Sequence, residues 1–222
     1  MKRFSFLDLY RMFKSRGMRL PMKYIFENLL FDFFYKVETH LWEPKENNKN
    51  KLKNYEDGVL YMPSWSSVIK KSTVQAFSLL KSKENLNIID FGCGKGKALI
   101  VWRKTLKLNN QIKLFGIEYD PELADKAKEN LKSIDIEGII KNSNAEDESQ
   151  ESYSKNLILY FYNPFNEKIL EKVLQNFSQS NPVVIYVNPV HQNIFGKHGF
   201  KEYLSVKHWH PNGCYVIYTK SN

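Results

Sequence analysis

Cysteine is scarce in this chain: among 222 residues only Cys93 and Cys214 carry a thiol. Two cysteines give no disulfide framework, which argues against a stapled secreted scaffold and fits a reducing cytoplasm. Long apolar runs are missing too. Nowhere do about 18 apolar residues follow one another, so no membrane-spanning helix is expected. The start, Met1-Lys2-Arg3, lacks the long apolar core of a secretion signal. The expected location is the cytoplasm, with peripheral attachment to the inner membrane face left open. Acids are in deficit, 24 against 33 Lys and Arg, for a formal charge of +9. That balance favours acidic partners such as nucleic acid or anionic lipid and says nothing about fold. No internal repeat is evident. What is present suits one α/β domain with extensions: 42% hydrophobic and 26% charged residues are ordinary for a globular protein. Aromatics, at 14%, are high, and many gather before residue 66.

The most informative stretch runs from Asn87 to Ile100. Ile88, Ile89 and Phe91 form a short apolar run that fits a strand buried on both faces, with Asp90 near its end. Gly92, Gly94 and Gly96 follow, and a helix-compatible segment begins near Lys97. Strand, glycine turn and helix bring backbone N–H groups and a helix N-terminus close to a ligand. A phosphate-cradling loop would need a glycine where Phe91 stands and a hydroxyl where Ala98 stands, so that reading fails. The dinucleotide fingerprint Gly-x-Gly-x-x-Gly fails because the third glycine comes one place early. A carboxylate two residues ahead of the first glycine also suits a pyrophosphate badly. It suits a cofactor with a cationic methionine end and a ribose.

Residues 1–23 carry seven basic side chains against one acid, Asp8. Phe6, Leu9, Tyr10 and Phe13 recur at helical spacing, punctuated by Gly17 and Pro21. Such a helix either lies on an anionic membrane or RNA, or packs its aromatic face on the domain behind it. Residues 24–37 form a second aromatic-rich helical segment, and 44–54 a polar, mobile surface loop. Residues 1–60 therefore read as a basic helical extension and 61–222 as the main domain. Ser64 is a good N-cap for a helix ending near Lys81. Strands are predicted at about 87–91, 112–118, 137–141, 156–162, 182–188, 201–206 and 214–219. They alternate with helices on both faces of a mostly parallel sheet, and the last two form an antiparallel hairpin.

Ligands of open α/β sheets sit beyond the carboxyl ends of the strands, at the switch point. Four features fall there. Asp90 ends the first strand, and Glu118 ends the second, where an acid can accept both ribose hydroxyls. Asn144 and Ala145 follow the third, where an adenine amino group would be read. Tyr162-Asn163-Pro164-Phe165 ends the fourth: Asn163 and the adjoining carbonyls can accept from a substrate N–H. There Pro164 fixes the backbone, and Phe165 can flank a sulfonium by cation–π contact. A second Asn-Pro pair, Asn188-Pro189, is followed by His191, which either relays a proton or caps the next helix. His208, His210 and Cys214 match no standard zinc spacing, so no metal is expected.

Asp90-Phe-Gly92-Cys93-Gly94-Lys-Gly96, Gly116-Ile-Glu118 and Tyr162-Asn-Pro-Phe165 resemble the class I S-adenosylmethionine-dependent methyltransferases. Together with Asn188-Pro-Val-His191 and Tyr35-Lys-Val-Glu-Thr39 they resemble a small bacterial group often found among surface-polysaccharide genes. Tyr61-x-Pro63-Ser64 is similar to the segment that covers the cofactor in seven-strand protein-lysine methyltransferases. The resemblance implies a Rossmann-like seven-strand fold and S-adenosyl-L-methionine as cofactor, held by Tyr61, Ser64, Asp90, Gly92, Cys93, Gly94, Gly96, Glu118, Asn144, Ala145 and Asn163. It implies Asn163, Pro164, Phe165 and His191 as the catalytic group. The implied acceptor is macromolecular or glycan: a protein amino group first, a sugar hydroxyl second, or no acceptor at all in an idle cofactor- or RNA-binding module. Amino methyltransferases of nucleobases and glutamine use Asn-Pro-Pro-Tyr. Phe165 and Asn166 depart from that pattern, against nucleobase methylation.

Overall fold

A computed structural model describes residues 5–41 and 61–220. The polar loop expected at 44–54 lies outside the described residues. Seven strands form one sheet in the order β3-β2-β1-β4-β5-β7-β6. They are β1 Asn87–Phe91, β2 Lys113–Glu118, β3 Ile139–Asn142, β4 Leu157–Tyr162, β5 Val183–Val187, β6 Phe200–Val206 and β7 Tyr215–Lys220. All neighbours from β3 to β5 pair in parallel, while β7 runs antiparallel to both β5 and β6. The predicted strands are all present, and the final hairpin has its later strand inside. Composition explains the inversion. Tyr215-Val-Ile-Tyr218 is apolar throughout and buried, whereas β6 carries Lys201, Glu202 and Ser205 and takes the edge.

Strand alternation divides the core between the two faces of the sheet. Ile88, Tyr160 and Ile185 pack under α4 (Ser66–Phe77) and α5 (Lys97–Ile100). Ile89, Phe91, Leu159 and Phe161 pack under α7 (Glu167–Asn176) and α8 (Asn193–Lys197). Helix starts follow capping chemistry. Asp120 Oδ1 accepts from the Glu122 amide at 2.9 Å to open α6 (Pro121–Ser133), and Asn166 Oδ1 accepts from the Ile169 amide at 3.0 Å to open α7. Ser64 does not cap α4. The cap position is Trp65, and the Ser64 hydroxyl instead meets the Tyr160 hydroxyl at 3.2 Å. The helix also stops at Phe77, short of Lys81, where the Ser78 hydroxyl bonds back to the Gln75 carbonyl at 2.7 Å.

The chain begins with α1 (Phe6–Arg16), ended by Gly17 at φ 67°. A near-continuous helix follows: α2 (Arg19–Tyr24), a π-turn (Ile25–Leu29) and α3 (Leu30–Tyr35). Its inner face docks by polar contacts beside the apolar packing of Phe31. Glu27 accepts from the Ser67 amide at 2.9 Å and from Lys23 Nζ at 2.5 Å. The aromatic face of α1 does not pack on the domain: Phe6, Tyr10 and Phe13 are exposed, and Asp8 is the buried residue of that helix.

Candidate active site

The strands β1 and β4 are neighbours although β2 and β3 lie between them in sequence, so their carboxyl ends border the switch point. The glycine turn leaves β1 there. Its Gly92 and Cys93 amides donate to the Ile117 carbonyl at 2.8 and 3.0 Å, which ties the turn to the end of β2. Gly92 and Gly94 have φ of 74° and 52°, a region open to glycine without strain. A Cβ on either would also collide with a neighbour, Pro164 at Gly92 and the Tyr61 ring at Gly94. The segment before α4 and the Asn-Pro turn after β4 therefore both close directly on the glycine turn.

Glu118 is buried at the end of β2. Its Oε2 accepts from the Gly94 amide at 2.8 Å and its Oε1 from the Asp120 amide at 2.9 Å. Burial pushes its carboxyl up to about 7, against the pull of those two amides. Asp90 is buried on the same face as Ile88, and burial, followed by the Glu118 charge, raises it well above the carboxylate range. The Cys93 thiol is raised in the same way; its sulfur fills the space beside Gly116, where a Cβ would lie 2.7 Å from it. Gly96, at φ 81°, is the N-cap of α5.

Asn144 caps a single turn, its Oδ1 accepting from the Glu146 amide at 3.3 Å, and Ala145 is buried in the core. Asn163 and Asn188 both stand at positive φ, 41° and 48°, which asparagine tolerates better than most residues. One hydroxyl joins the two Asn-Pro turns: Tyr186 donates to Asn163 Oδ1 at 3.3 Å and accepts from the His191 amide at 3.2 Å. His191 does not cap the following helix, whose cap position is Gln192. Phe165, expected to flank a sulfonium, turns inward. Only 7% exposed, it packs edge-on to Phe161 in the core beneath the turn. His208 meets Trp65 edge-on at 5.5 Å between ring centres, and His210 lies tilted against it at 5.1 Å.

Several residues that sequence reasoning passed over hold this rim together. Lys97, whose position matched a failed phosphate-loop pattern, sends its Nζ to the Glu27 carbonyl at 2.6 Å and to Asn28 Oδ1 at 2.5 Å. Burial lowers its amine to about 7. Lys95 Nζ lies 3.2 Å from Glu38 Oε1. Asn130 of α6 clamps residue 38 with both ends of its amide, accepting from the Glu38 N–H and donating to its carbonyl, each at 3.1 Å. Asp32 takes the Thr39 and His40 amides at 2.5 and 2.8 Å, and Tyr61 donates its hydroxyl to the Thr39 carbonyl at 2.8 Å. Tyr35-Lys-Val-Glu-Thr39 is thus a strap across the glycine turn; its spacing carried no signal of that contact.

This arrangement fits S-adenosyl-L-methionine. The glycine turn holds an acid, Glu118, at the carboxyl end of β2, and Gly92 of that turn is exposed. The Tyr162 hydroxyl at the end of β4 is buried with no hydrogen-bond partner, a donor that a bound ligand can satisfy. The sheet order and the glycine turn after β1 define a class I methyltransferase. The chain belongs to the methyltransferase-domain family, whose family model matches residues 82–199, and S-adenosyl-L-methionine is its cofactor. No curated protein matches it. Among solved structures it is similar to a precorrin-6y C5,15-methyltransferase from Geobacter metallireducens, with 16% identity over 68% of this chain and 87% of that one and a TM-score of 0.50. A ribosomal protein L11 methylase from Lactobacillus delbrueckii subsp. bulgaricus gives 15% identity, 69% and 79% coverage, and a TM-score of 0.50. At such identities the likeness is one of fold. Among the described residues no helix is long and apolar enough to cross a membrane, and no group of three or more His, Cys, Asp or Glu could hold a metal.

Proposed function

We propose that this methyltransferase N-methylates an amino group, with protein lysine as the leading acceptor. The observation that carries the reading is the protonation state of the rim. Burial pushes Asp90, Cys93 and Tyr162 toward their neutral forms, and Glu118, brought to about 7, has its two oxygens engaged by the Gly94 and Asp120 amides, so none of the four stands ready to deprotonate a hydroxyl. A hydroxyl acceptor needs a base to activate it, whereas an amine needs only to arrive unprotonated, which desolvation favours. When bound, the cofactor supplies an electrophilic methyl on a sulfonium. The protein's part is alignment and exclusion of water.

In this reading Glu118 and the glycine turn hold the ribose, Asn144 and Ala145 border the adenine, and Tyr61, Ser64 and Asp90 enclose the methionine end. Asn163, kept in place by Tyr186 and Pro164 and supported from below by Phe165, accepts a hydrogen bond from the incoming amine. His191 stands on the second Asn-Pro turn at the same edge; it is the group a sugar O-methylation would have to use. Residues 1–23 contribute excess positive charge that draws the enzyme toward polyanionic surfaces.

The test is transfer of radioactive methyl from the cofactor into lysate fractionated as protein, RNA and glycan. Label in protein that survives base and comes out as methyl-lysine on hydrolysis supports the reading. Label confined to glycan replaces it with O-methylation, and no transfer to any fraction favours a cofactor-binding module.

A further inference from the structure

The helix from Arg19 to Tyr35 is amphipathic in the inverted sense. Its buried stripe sets Glu27, Asn28 and Asp32 beside Pro21, Tyr24 and Phe31, and the three polar residues are engaged with Lys97, Ser67, Thr39 and His40. The opposite stripe is apolar and faces outward: Met22, Phe26 at 63% exposure, Phe33 at 75% and Phe34 at 72%. In α1, Phe6 at 90%, with Tyr10 and Phe13, repeats the pattern. A helix surrounded by water buries its apolar stripe. Here specific hydrogen bonds fix the polar stripe inward, so the apolar one is presented to another medium, and exposed apolar patches of this size mark interaction surfaces.

Charge identifies that medium. The three acids among residues 1–36 are Asp8, Glu27 and Asp32, and all three are buried. Arg11, Lys14, Arg16, Arg19 and Lys36 are exposed. The outer surface of these helices is therefore aromatic and cationic with no exposed acid. A second copy of the same face would be repelled. RNA would leave the aliphatic Leu7, Met18 and Met22, also exposed, without partners. An anionic bilayer interface takes both components: phenylalanine rings enter the acyl boundary while arginine and lysine meet headgroups.

We propose that the outer face formed by Phe6, Tyr10, Phe13, Phe26, Phe33 and Phe34 beds into an anionic lipid surface, so that the enzyme works at a membrane. The face adjoins the site. Arg16 Nη1 donates to the Trp209 carbonyl at 3.4 Å, and Lys23 Nζ lies 5.1 Å from the centre of the Trp65 ring, immediately after the Tyr61–Ser64 segment. The loop holding Trp209 enters β7 at Tyr215, which pairs with Val187 at the carboxyl end of β5. Membrane, α2 and the substrate-facing rim of the sheet thus share one end of the molecule.

The test is flotation of the full-length protein with pure phosphatidylcholine vesicles and with equimolar phosphatidylcholine–phosphatidylglycerol vesicles. The expected result is binding to the anionic vesicles only, weakening as salt is raised. The pair Phe33→Ser/Phe34→Ser should lower the partition at least about tenfold, the loss expected for withdrawing two large apolar groups. Its circular dichroism and its affinity for S-adenosylhomocysteine should stay as in the wild type. Wild-type protein that stays unbound at low salt overturns the proposal. So does equal binding by the aromatic pair, or retention on RNA without retention on vesicles.

Discussion

The ring of Tyr61 occupies the space that a side chain on residue 94 would fill. Gly94 is therefore glycine for two reasons, its φ of 52° and the ring above it. Tyr61 is in turn tethered through its hydroxyl to the Thr39 carbonyl. Gly94→Ala should displace the ring and weaken S-adenosylhomocysteine binding by tenfold or more. Tyr61→Ala should weaken binding and slow turnover. Because both act on one contact, the double variant should fall well short of the sum of the two losses. Calorimetry on the four proteins checks this; strict additivity would separate Tyr61 from the turn.

Glu118 makes cofactor binding depend on pH. Its folded value of about 7 lies above the ordinary 4.5, so the folded apo-protein favours the neutral acid. The stability this contributes is complete below about 4.5 and is lost as pH rises to about 7. A ribose donating to this group prefers it ionised. Affinity for S-adenosylhomocysteine should thus climb as pH is raised through about 7 in the wild type, and stay flat in Glu118→Gln. Glu118→Ala should cost roughly 1–3 kcal/mol of binding at neutral pH. Titrations on either side of neutrality decide it, and a pH slope retained in Glu118→Gln removes Glu118 from the ribose site.

Lys97 should fasten the N-terminal helices to the domain. Lys97→Met leaves the Glu27 carbonyl and Asn28 amide without their donor, which should lower stability by about 1–3 kcal/mol. It should also expose residues 19–35 to hydrogen exchange before the sheet opens. The lysine's folded value, about 7 against an ordinary 10.5, sets the sign of the pH effect. Its contribution is complete above about 10.5 and is lost as pH falls toward about 7. The gap between wild type and variant in urea unfolding should accordingly widen from neutral to alkaline pH. A constant gap, with unchanged exchange in the helix, would mean that other contacts hold it.

The sheet was legible because each strand carries its own signal: continuous apolar residues bounded by turns, with Asp90 and Glu118 at the carboxyl ends. Even the inner place of β7 was written in its composition, although a hairpin alone does not say which of its strands lies inside. The orientation of the N-terminal helices was left open for a physical reason. Periodicity locates an apolar stripe without saying which way it faces, and here Glu27, Asn28 and Asp32 win the inner side through partners far away in sequence. The strap at residues 35–39, resting on Tyr61 and Asn130, joins the N-terminal region to the glycine turn through contacts that its spacing did not announce. Phe165 shows a related limit: its place beside Asn-Pro says nothing of its packing, which is edge-on to Phe161.

Asn163 combines two tasks that one substitution cannot separate. Its φ of 41° makes it a turn residue, and its side-chain oxygen, held by Tyr186, makes it a candidate acceptor for the substrate N–H. Alanine removes the amide and strains the backbone together. Glycine removes the amide and keeps the turn at ease. If the amide aligns the acceptor as the methyl moves, Asn163→Gly and Asn163→Ala should both lower single-turnover rates by about 10²-fold or more, with cofactor dissociation constants little changed. Tyr186→Phe should give a smaller loss of rate, because it frees the amide to swing without removing it. If Asn163 serves only the turn, glycine should act like the wild type while alanine alone loses activity and stability. Rates at saturating cofactor, measured beside the dissociation constants on all three variants, distinguish the two roles. A fully active Asn163→Gly protein would move the acceptor contact from the side chain to the backbone carbonyls of residues 163 and 164.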